Sequence, residues 1–144
     1  ARRRATANAT LIDASATAYM RQLLERYDWI DHHRFGPKTS QFAWLLVQHA
    51  DKDPEFQSMV LERMGAYLES DGVNKANYAY LWDRVAVNNG RLQRYGTQPI
   101  WDCHDGKLEP QPLEAPDEVD QRRAELGLDT MASGLAQMSE TVCR

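Results

Sequence analysis

This chain of 144 residues has no long apolar run, only two cysteines and no excess of basic over acidic residues. No stretch approaches the roughly 20 consecutive apolar residues that a membrane-spanning helix needs. The 17 lysines and arginines are outnumbered by 21 aspartates and glutamates, and the formal net charge of -4 argues against a nucleic-acid or anionic-membrane partner. A hydrophobic fraction of 42% nevertheless supports a folded domain rather than a disordered chain.

Sequence motifs that name an activity are missing as well. There is no phosphate-binding glycine loop, no dinucleotide fingerprint and no Gly-x-Ser-x-Gly nucleophile elbow, and the four histidines form neither an HxxxH nor an HExxH pair. His49 and Asp51 could supply two metal ligands at a helix end, but a metal site needs three or four. We therefore expect no metal and no cofactor.

The two cysteines, Cys103 and Cys143, bear on the compartment of the protein. A disulfide between them would close a loop of about 40 residues and contribute roughly 3–4 kcal/mol, whereas two unpaired thiols in a cytosolic protein are the alternative. The chain begins with Ala1 rather than Met, as a mature exported protein or a fragment would. We expect a secreted or periplasmic protein, with a cytoplasmic location left open.

The fold class predicted from hydrophobic periodicity is mostly α. We expect a flexible arm over residues 1–8, followed by a single helical domain over residues 9–144. That domain should be a compact bundle of five or six helices with one short β-hairpin or ordered loop near residues 92–113, where Asp105-Gly106 is a favourable hairpin turn. The predicted helices cover residues 11–27, 39–50, 54–71, 75–88, 116–127 and 130–139.

Three linked motifs follow one another between residues 41 and 128. They are QHAD at Gln48–Asp51, AYLWDRV at Ala79–Val85 and YGTQ at Tyr95–Gln98, and RRAELGL at Arg122–Leu128 closes the series. In this order they resemble a bacterial family that is catalogued only as a domain of unknown function. The resemblance implies shared motifs but no reaction. Members often open this region with a Gly-Trp-Pro segment, and this sequence has Phe35-Gly36-Pro37 there instead, at the expected pocket entrance.

His49 is the first candidate for chemistry. It shares a helical stripe with Phe42 and Leu45, which predicts that its imidazole faces inward. An imidazole near a helix C-terminus tends to hold its proton, and Asp51 could orient it. This arrangement suits general acid–base chemistry, although an inward histidine is also typical of a satisfied core residue.

Asp83 and Arg84 are the second candidate. They are adjacent in a predicted helix and therefore cannot pair well with each other. Asp83 lies on a partly buried stripe, so its carboxylate must find partners. One interpretation is a structural salt bridge or a clamp on the backbone of Tyr95–Gln98. The other is that Asp83 and Arg84 line one pocket with His49, where Arg84 holds a carboxylate or phosphate.

These motifs predict a small-molecule or peptide-ligand site, in its strong form a hydrolase or lyase, and whether the protein is an enzyme stays open. The candidate catalytic residues are His49 as the base, Arg84 as the anion holder, and Asp83. The candidate ligand-binding residues are Gln48, Asp51, Tyr80, Tyr95, Thr97 and Gln98. The alternative is a secreted or periplasmic protein-binding module of the inhibitor or immunity type, without catalysis. The expected partner is thus a small molecule, a peptide or a protein, with no nucleic acid and no membrane insertion.

Overall fold

A computed structural model of the chain describes residues 2–144, with side chains described from Thr10 onward. The protein is 61% helical. Its described residues form seven α-helices and one antiparallel two-stranded sheet, so the predicted mostly α class is confirmed. The chain divides into two compact units, of which the first ends at Asn74 and the second spans Lys75–Arg144. The single domain over residues 9–144 stays a prediction.

The first unit consists of four helices. They are α1 (Arg2–Tyr27), α2 (His32–Phe35), α3 (Pro37–Gln48) and α4 (Pro54–Ala66). Helix α1 thus begins before Leu11, where the hydrophobic periodicity starts. The arm predicted over residues 1–8 overlaps the start of this helix. Ala1 and the side chains of residues 2–9 lie outside the described part of the chain, so the flexibility of the arm stays a prediction.

The second unit combines three helices with a hairpin. Its elements are α5 (Lys75–Asn88), β1 (Pro99–His104), β2 (Lys107–Pro110), a 3₁₀ turn (Pro116–Glu118), α6 (Val119–Glu125) and α7 (Met131–Val142). The helix predicted over residues 116–127 therefore begins as a 3₁₀ turn and becomes α-helical only at Val119.

The segment between α1 and α3 differs from the sequence prediction. Residues 29–38 were predicted to be irregular, yet Asp31 caps the short helix α2 by accepting hydrogen bonds from the N–H groups of His33 (3.1 Å) and Arg34 (3.0 Å). Helix α3 begins at Pro37 rather than at Thr39 or Ser40. The fixed φ of proline suits the first helical position, so the Gly-Pro pair begins the helix instead of delaying it.

The core of the first unit is built from apolar side chains at helical spacing on α1, α3 and α4. Its most buried members are Leu24, Val47, Phe56, Val60 and Met64, and Trp29 from the segment after α1 joins them. The α3 stripe that was predicted to face inward is in part exposed, because Phe42 is 57% and Leu46 40% exposed. The buried face of α3 is instead the one that carries Ala43 and Val47.

Asp53 caps α4 and also bonds to α1. Its carboxylate accepts hydrogen bonds from Arg21 Nη2 (2.7 Å) and from the Phe56 N–H (3.1 Å). The Arg21 bond, opposed by desolvation and aided by the Phe56 bond, holds the pKa of Asp53 below its ordinary value. Asp53 therefore stabilises the fold above its unfolded-state pKa, and this stabilisation is lost as the pH falls through the lower folded-state pKa.

Replacing Asp53 with alanine is expected to lower the free energy of unfolding by about 1 kcal/mol at neutral pH, because the helix cap is removed. The Asp53→Asn variant should lose less, since an amide oxygen can still cap the helix. Because asparagine does not titrate, the stability of this variant should also fall less than that of the wild type as the pH is lowered. Denaturant unfolding near neutral pH and at about pH 3 measures both effects. An alanine variant as stable as the wild type near neutral pH would contradict the cap.

The hairpin of the second unit forms where Asp105-Gly106 predicts it. Both turn residues have positive φ (50° and 73°), as a tight two-residue hairpin turn requires. Helix α7 packs against this hairpin, and the Leu108 N–H donates to Ser139 Oγ across 2.9 Å. The sulfur atoms of Cys103 and Cys143 lie 2.05 Å apart, so the expected disulfide ties β1 to the end of α7.

Candidate functional site

The residues predicted to form one site belong to both compact units. The first unit contains Gln48, His49 and Asp51, and the second contains Tyr80, Asp83, Arg84, Tyr95, Thr97 and Gln98. Each unit therefore has its own candidate site, built from different side chains.

His49 does not face inward, contrary to the sequence prediction. Helix α3 ends at Gln48, so His49 is the residue after the last turn, and its side chain is exposed. The helical stripe that predicted an inward imidazole stops one residue earlier. The neighbouring Asp51 accepts a hydrogen bond from Gln57 Nε2 (3.1 Å), which also donates to the carbonyls of Val47 (3.1 Å) and Gln48 (3.3 Å). Asp51 thus takes part in closing the end of α3.

His49 lines a pocket of about 330 Å³ between α1 and the turn that joins α3 to α4. Three charged groups of this pocket already have partners, since Arg21 pairs with Asp53 and Lys52 Nζ donates to Thr10 Oγ1 across 2.7 Å. The imidazole makes no hydrogen bond within the described residues. This pocket offers an exposed imidazole beside internally paired charges, which is a weak basis for acid–base chemistry.

Asp83 holds the loop that follows α5. Its side chain is 0% exposed, and Oδ1 accepts hydrogen bonds from the N–H groups of Arg94 (2.7 Å) and Tyr95 (3.0 Å). Oδ2 accepts from both the N–H and the hydroxyl of Thr97, each across 2.8 Å. Four donors occupy this carboxylate, so the clamp interpretation is confirmed, and little acceptor capacity is left for a substrate.

Two arginines of α6 bind the same loop through its carbonyl groups. Arg122 Nε donates to Arg94 O (3.0 Å), and Arg123 Nη1 donates to Tyr95 O (2.6 Å). Asp83 therefore binds the N–H groups of the loop while the two arginines bind its C=O groups. The motifs AYLWDRV, YGTQ and RRAELGL thus meet in one hydrogen-bonded assembly, which we call the loop clamp.

The polar side chains of the loop are used within the loop clamp. Gln93 Oε1 accepts from the Gln98 N–H (2.9 Å), and Gln93 Nε2 donates to Gln111 O (2.8 Å). Gln98 Nε2 approaches Thr97 Oγ1 at 3.4 Å. Gly96, with φ at 66°, lies so close to Met131 that an added Cβ would meet its sulfur at 2.7 Å. The glycine therefore makes room for the Met131 side chain.

Arg123 is an unusual charged group because it is buried and hydrogen-bonds to backbone carbonyls rather than to a carboxylate. It is 4% exposed, and besides Tyr95 O it donates from Nε to Asp129 O across 2.5 Å. Within the described part of the chain, no carboxylate forms an ion pair with it. Burial lowers the pKa of the guanidinium from its ordinary value, and electrostatic interactions with Tyr80 and with nearby aspartates oppose that shift.

Helix α7 leaves room for the Arg123 guanidinium at Gly134. A Cβ added there would lie 2.6 Å from Nη2, which is too close for an undisturbed contact. A glycine inside a helix costs about 0.5–1 kcal/mol relative to alanine. Gly134 therefore lowers the stability of α7 but leaves space for the Arg123 guanidinium.

Arg123 lines a concave cavity of about 290 Å³. Gln137 Nε2 donates to Asp129 Oδ2 (3.3 Å) at its polar side. Tyr80 is the predicted ligand residue that lines this cavity, whereas Arg84 does not line it and is half-buried on α5. The remaining lining residues are mostly aromatic or apolar, namely Trp101, Leu128, Met138 and Val142, with Gly134 and Thr141.

The sequence reasoning did not place Arg122 or Arg123 in the site. They entered that reasoning only as the first two residues of the RRAELGL motif. The available signal was their adjacency in the closing RRAELGL motif, since neighbouring helical residues point in different directions and so seek different partners. Among the described residues, no three histidine, cysteine or acidic side chains cluster as a metal site would require. None of the described helices is long and apolar enough to span a membrane.

These features define a small, mostly helical protein with a disulfide-tied hairpin and a loop held at both its N–H and its C=O groups. The chain belongs to DUF6624, a family of unknown function, whose model matches residues 4–141. The family resemblance drawn from the sequence is therefore confirmed. Searches of curated proteins and of solved structures give no match.

Proposed function

We propose that this protein binds a small organic carboxylate in the cavity lined by Arg123. The observation that carries the proposal is a buried guanidinium that faces this cavity and has only backbone carbonyls as partners in the described residues. A desolvated charge that is not in direct contact with a counter-charge is unfavourable, and an anionic ligand would offset that cost. Guanidinium geometry suits a carboxylate well.

The rest of the cavity narrows the class of ligand. Tyr80, Trp101 and Met138 offer contact to an apolar or aromatic body. The carboxylate of Asp129 lines the same cavity and disfavours a doubly charged phosphate. A volume of about 290 Å³ lies near the lower end of the range for small-molecule sites, which favours a ligand of modest size.

Calorimetric titration with phenylacetate tests this proposal, with phenylacetamide as the uncharged analogue. We expect the wild type to bind phenylacetate at least about tenfold more tightly than the amide, because only the carboxylate pairs with Arg123. Trp101→Ala should weaken binding of both ligands by about tenfold through lost apolar contact. The matched control is Ile100→Ala, which removes an exposed neighbour on β1 that does not line the cavity.

The guanidinium itself is tested with Arg123→Lys, whose melting temperature is measured alongside because Arg123 also holds the loop. A folded Arg123→Lys protein should lose most of the preference for phenylacetate over phenylacetamide. If that variant is unfolded, the affinities of the wild type for phenylacetate and phenylacetamide test the proposal instead. Equal affinity of the wild type for both ligands, or no binding of either, contradicts the proposal.

We assign binding and no reaction. The four donors on Asp83 favour a structural role for that carboxylate, and His49 is an exposed residue of the first unit. The catalytic roles of His49, Asp83 and Arg84 stay predictions.

The second candidate is a protein-binding module without catalysis, and Trp101 is the observation that favours it. Its indole is 58% exposed on the hairpin, and exposed tryptophans are enriched at interfaces. The disulfide supports a secreted or periplasmic location in a bacterial host, since such bonds persist in oxidising compartments. Stoichiometric capture of one protein that Trp101→Ala abolishes, without any response to phenylacetate, would favour this candidate over the first.

A further inference from the structure

A second concave surface lies in the first unit, on the side of α1 away from the His49 pocket. It is an apolar groove of about 340 Å³ between α1 and α3. Tyr19 and Phe42 border it and are 59% and 57% exposed. Thr39 is the one lining residue that is neither apolar nor aromatic. Large apolar side chains are exposed together here, which marks a binding surface rather than scattered surface residues.

The end of this groove is aromatic and carries positive charge. Tyr27 and Phe35 meet edge to face with their ring centroids 5.2 Å apart, and the Arg26 guanidinium lies 5.1 Å from the centre of the Tyr27 ring. Lys38 is exposed in the first turn of α3, next to the lining residue Thr39. Neither Arg26 nor Lys38 has an acidic partner among the described residues.

The acidic groups at this end are already neutralised. Asp31 forms an ion pair with Arg34, and Asp28 lies 3.6 Å from Arg63 Nε. Arg34 is occupied as well, because its Nη2 donates to the carbonyls of Tyr27 and Trp29, each across 2.9 Å. The charge left open beside the apolar groove is therefore positive.

We propose that this groove binds a single-chain anionic amphiphile, with the alkyl chain along the groove and a carboxylate head group near Arg26 and Lys38. Complementarity supports both parts, since the groove is apolar along its length and cationic at one end. Its volume lies in the range of small-molecule sites. An amphipathic helix of a partner protein would need several anchor pockets and an interface of roughly 1,000 Å² or more. The groove is independent of the Arg123 cavity, because the two have no lining residue in common.

Calorimetric titration with decanoate below its micellar concentration tests the proposal, with decan-1-ol as the uncharged analogue. We expect decanoate to bind the wild type more tightly than decan-1-ol. The double variant Arg26→Gln/Lys38→Gln should remove that preference, weakening decanoate binding by about tenfold while leaving decan-1-ol unchanged. Both replaced side chains are exposed, so the variant is expected to fold.

Leu46→Glu tests the groove, because it places a negative charge on an exposed lining residue. It should weaken binding of decanoate by about tenfold or more. Leu11→Glu is the matched control, since Leu11 is an exposed leucine of α1 that does not line the groove. The proposal is overturned if decanoate does not bind, if Leu11→Glu weakens binding as much as Leu46→Glu, or if only anionic vesicles or a helical peptide bind. Loss of phenylacetate binding leaves these outcomes unaffected, because they concern a different unit.

Discussion

Replacing Asp83 with alanine is expected to lower the free energy of unfolding by about 4 kcal/mol. The substitution removes the acceptor of three backbone N–H groups and one hydroxyl, all at a position that is 0% exposed. Each buried donor left without a partner costs about 1–3 kcal/mol, less what water can recover. Asp83→Asn should lose less, because its amide oxygen can still accept two of the four hydrogen bonds while its NH₂ group faces the remaining donors.

Denaturant unfolding of the two Asp83 variants measures these losses. Asp102→Ala is the matched control, since the Asp102 side chain is 80% exposed and lies 3.8 Å from His104. It should change the free energy of unfolding by less than about 0.5 kcal/mol. Asp83→Ala with wild-type stability would show that the loop clamp does not hold the loop after α5.

Removing the disulfide should have an effect of similar size. In the chain-entropy description, a bridge between Cys103 and Cys143, which are 40 residues apart, contributes about 4 kcal/mol by restricting the unfolded chain. The Cys103→Ser/Cys143→Ser variant should therefore melt roughly 10 °C or more below the wild type. The bond joins β1 to the end of α7, whose Ser139 also bonds to Leu108 of β2, so the hairpin should lose its attachment first.

Thermal melts with and without a reducing agent check this prediction. The reductant should lower the melting temperature of the wild type to that of the double serine variant and leave the variant unchanged. A variant that melts with the oxidised wild type would contradict the stabilising role of the bridge. A response of the variant to the reductant would show that the agent acts on something other than this bond.

The elements that the sequence predicted well are those with local signals. Asp53-Pro54 combines an N-cap with a first-turn proline, so the start of α4 was predicted correctly, whereas its predicted end at residue 71 lies beyond the observed end at Ala66. Asp105-Gly106 has the residues that a tight hairpin turn needs. Such signals act within three or four residues, so they do not depend on tertiary contacts. Helix α5 was likewise predicted with its observed ends, Lys75 and Asn88.

His49 shows where periodicity fails. A stripe predicts the direction of a side chain only while the helix continues, and α3 ends one residue before His49. A different limit explains Phe42 and Leu46, which lie inside α3 and are apolar yet exposed. Periodicity indicates that a helix has an apolar face, but it does not tell which of two apolar flanks another element will cover.

The loop clamp depends on partners that local patterns do not specify. Adjacency showed that Asp83 could not pair with Arg84, and burial of its stripe showed that it needed partners, which left two interpretations open. The deciding donors lie 11 to 14 residues further along the chain. Arg123 acts across 28 residues to reach Tyr95 O, so its role emerges only once α6 is folded against the loop.

We propose that the cavity beside the loop clamp binds an organic carboxylate through Arg123. Nuclear magnetic resonance of the wild type titrated with phenylacetate tests it most directly, with the Arg123 Nε–H and the Trp101 indole N–H as reporters. We predict that both signals shift, saturate at the same ligand concentration, and move far less with phenylacetamide. Signals at both groups that stay unmoved by phenylacetate, or that respond equally to the amide, would contradict the account.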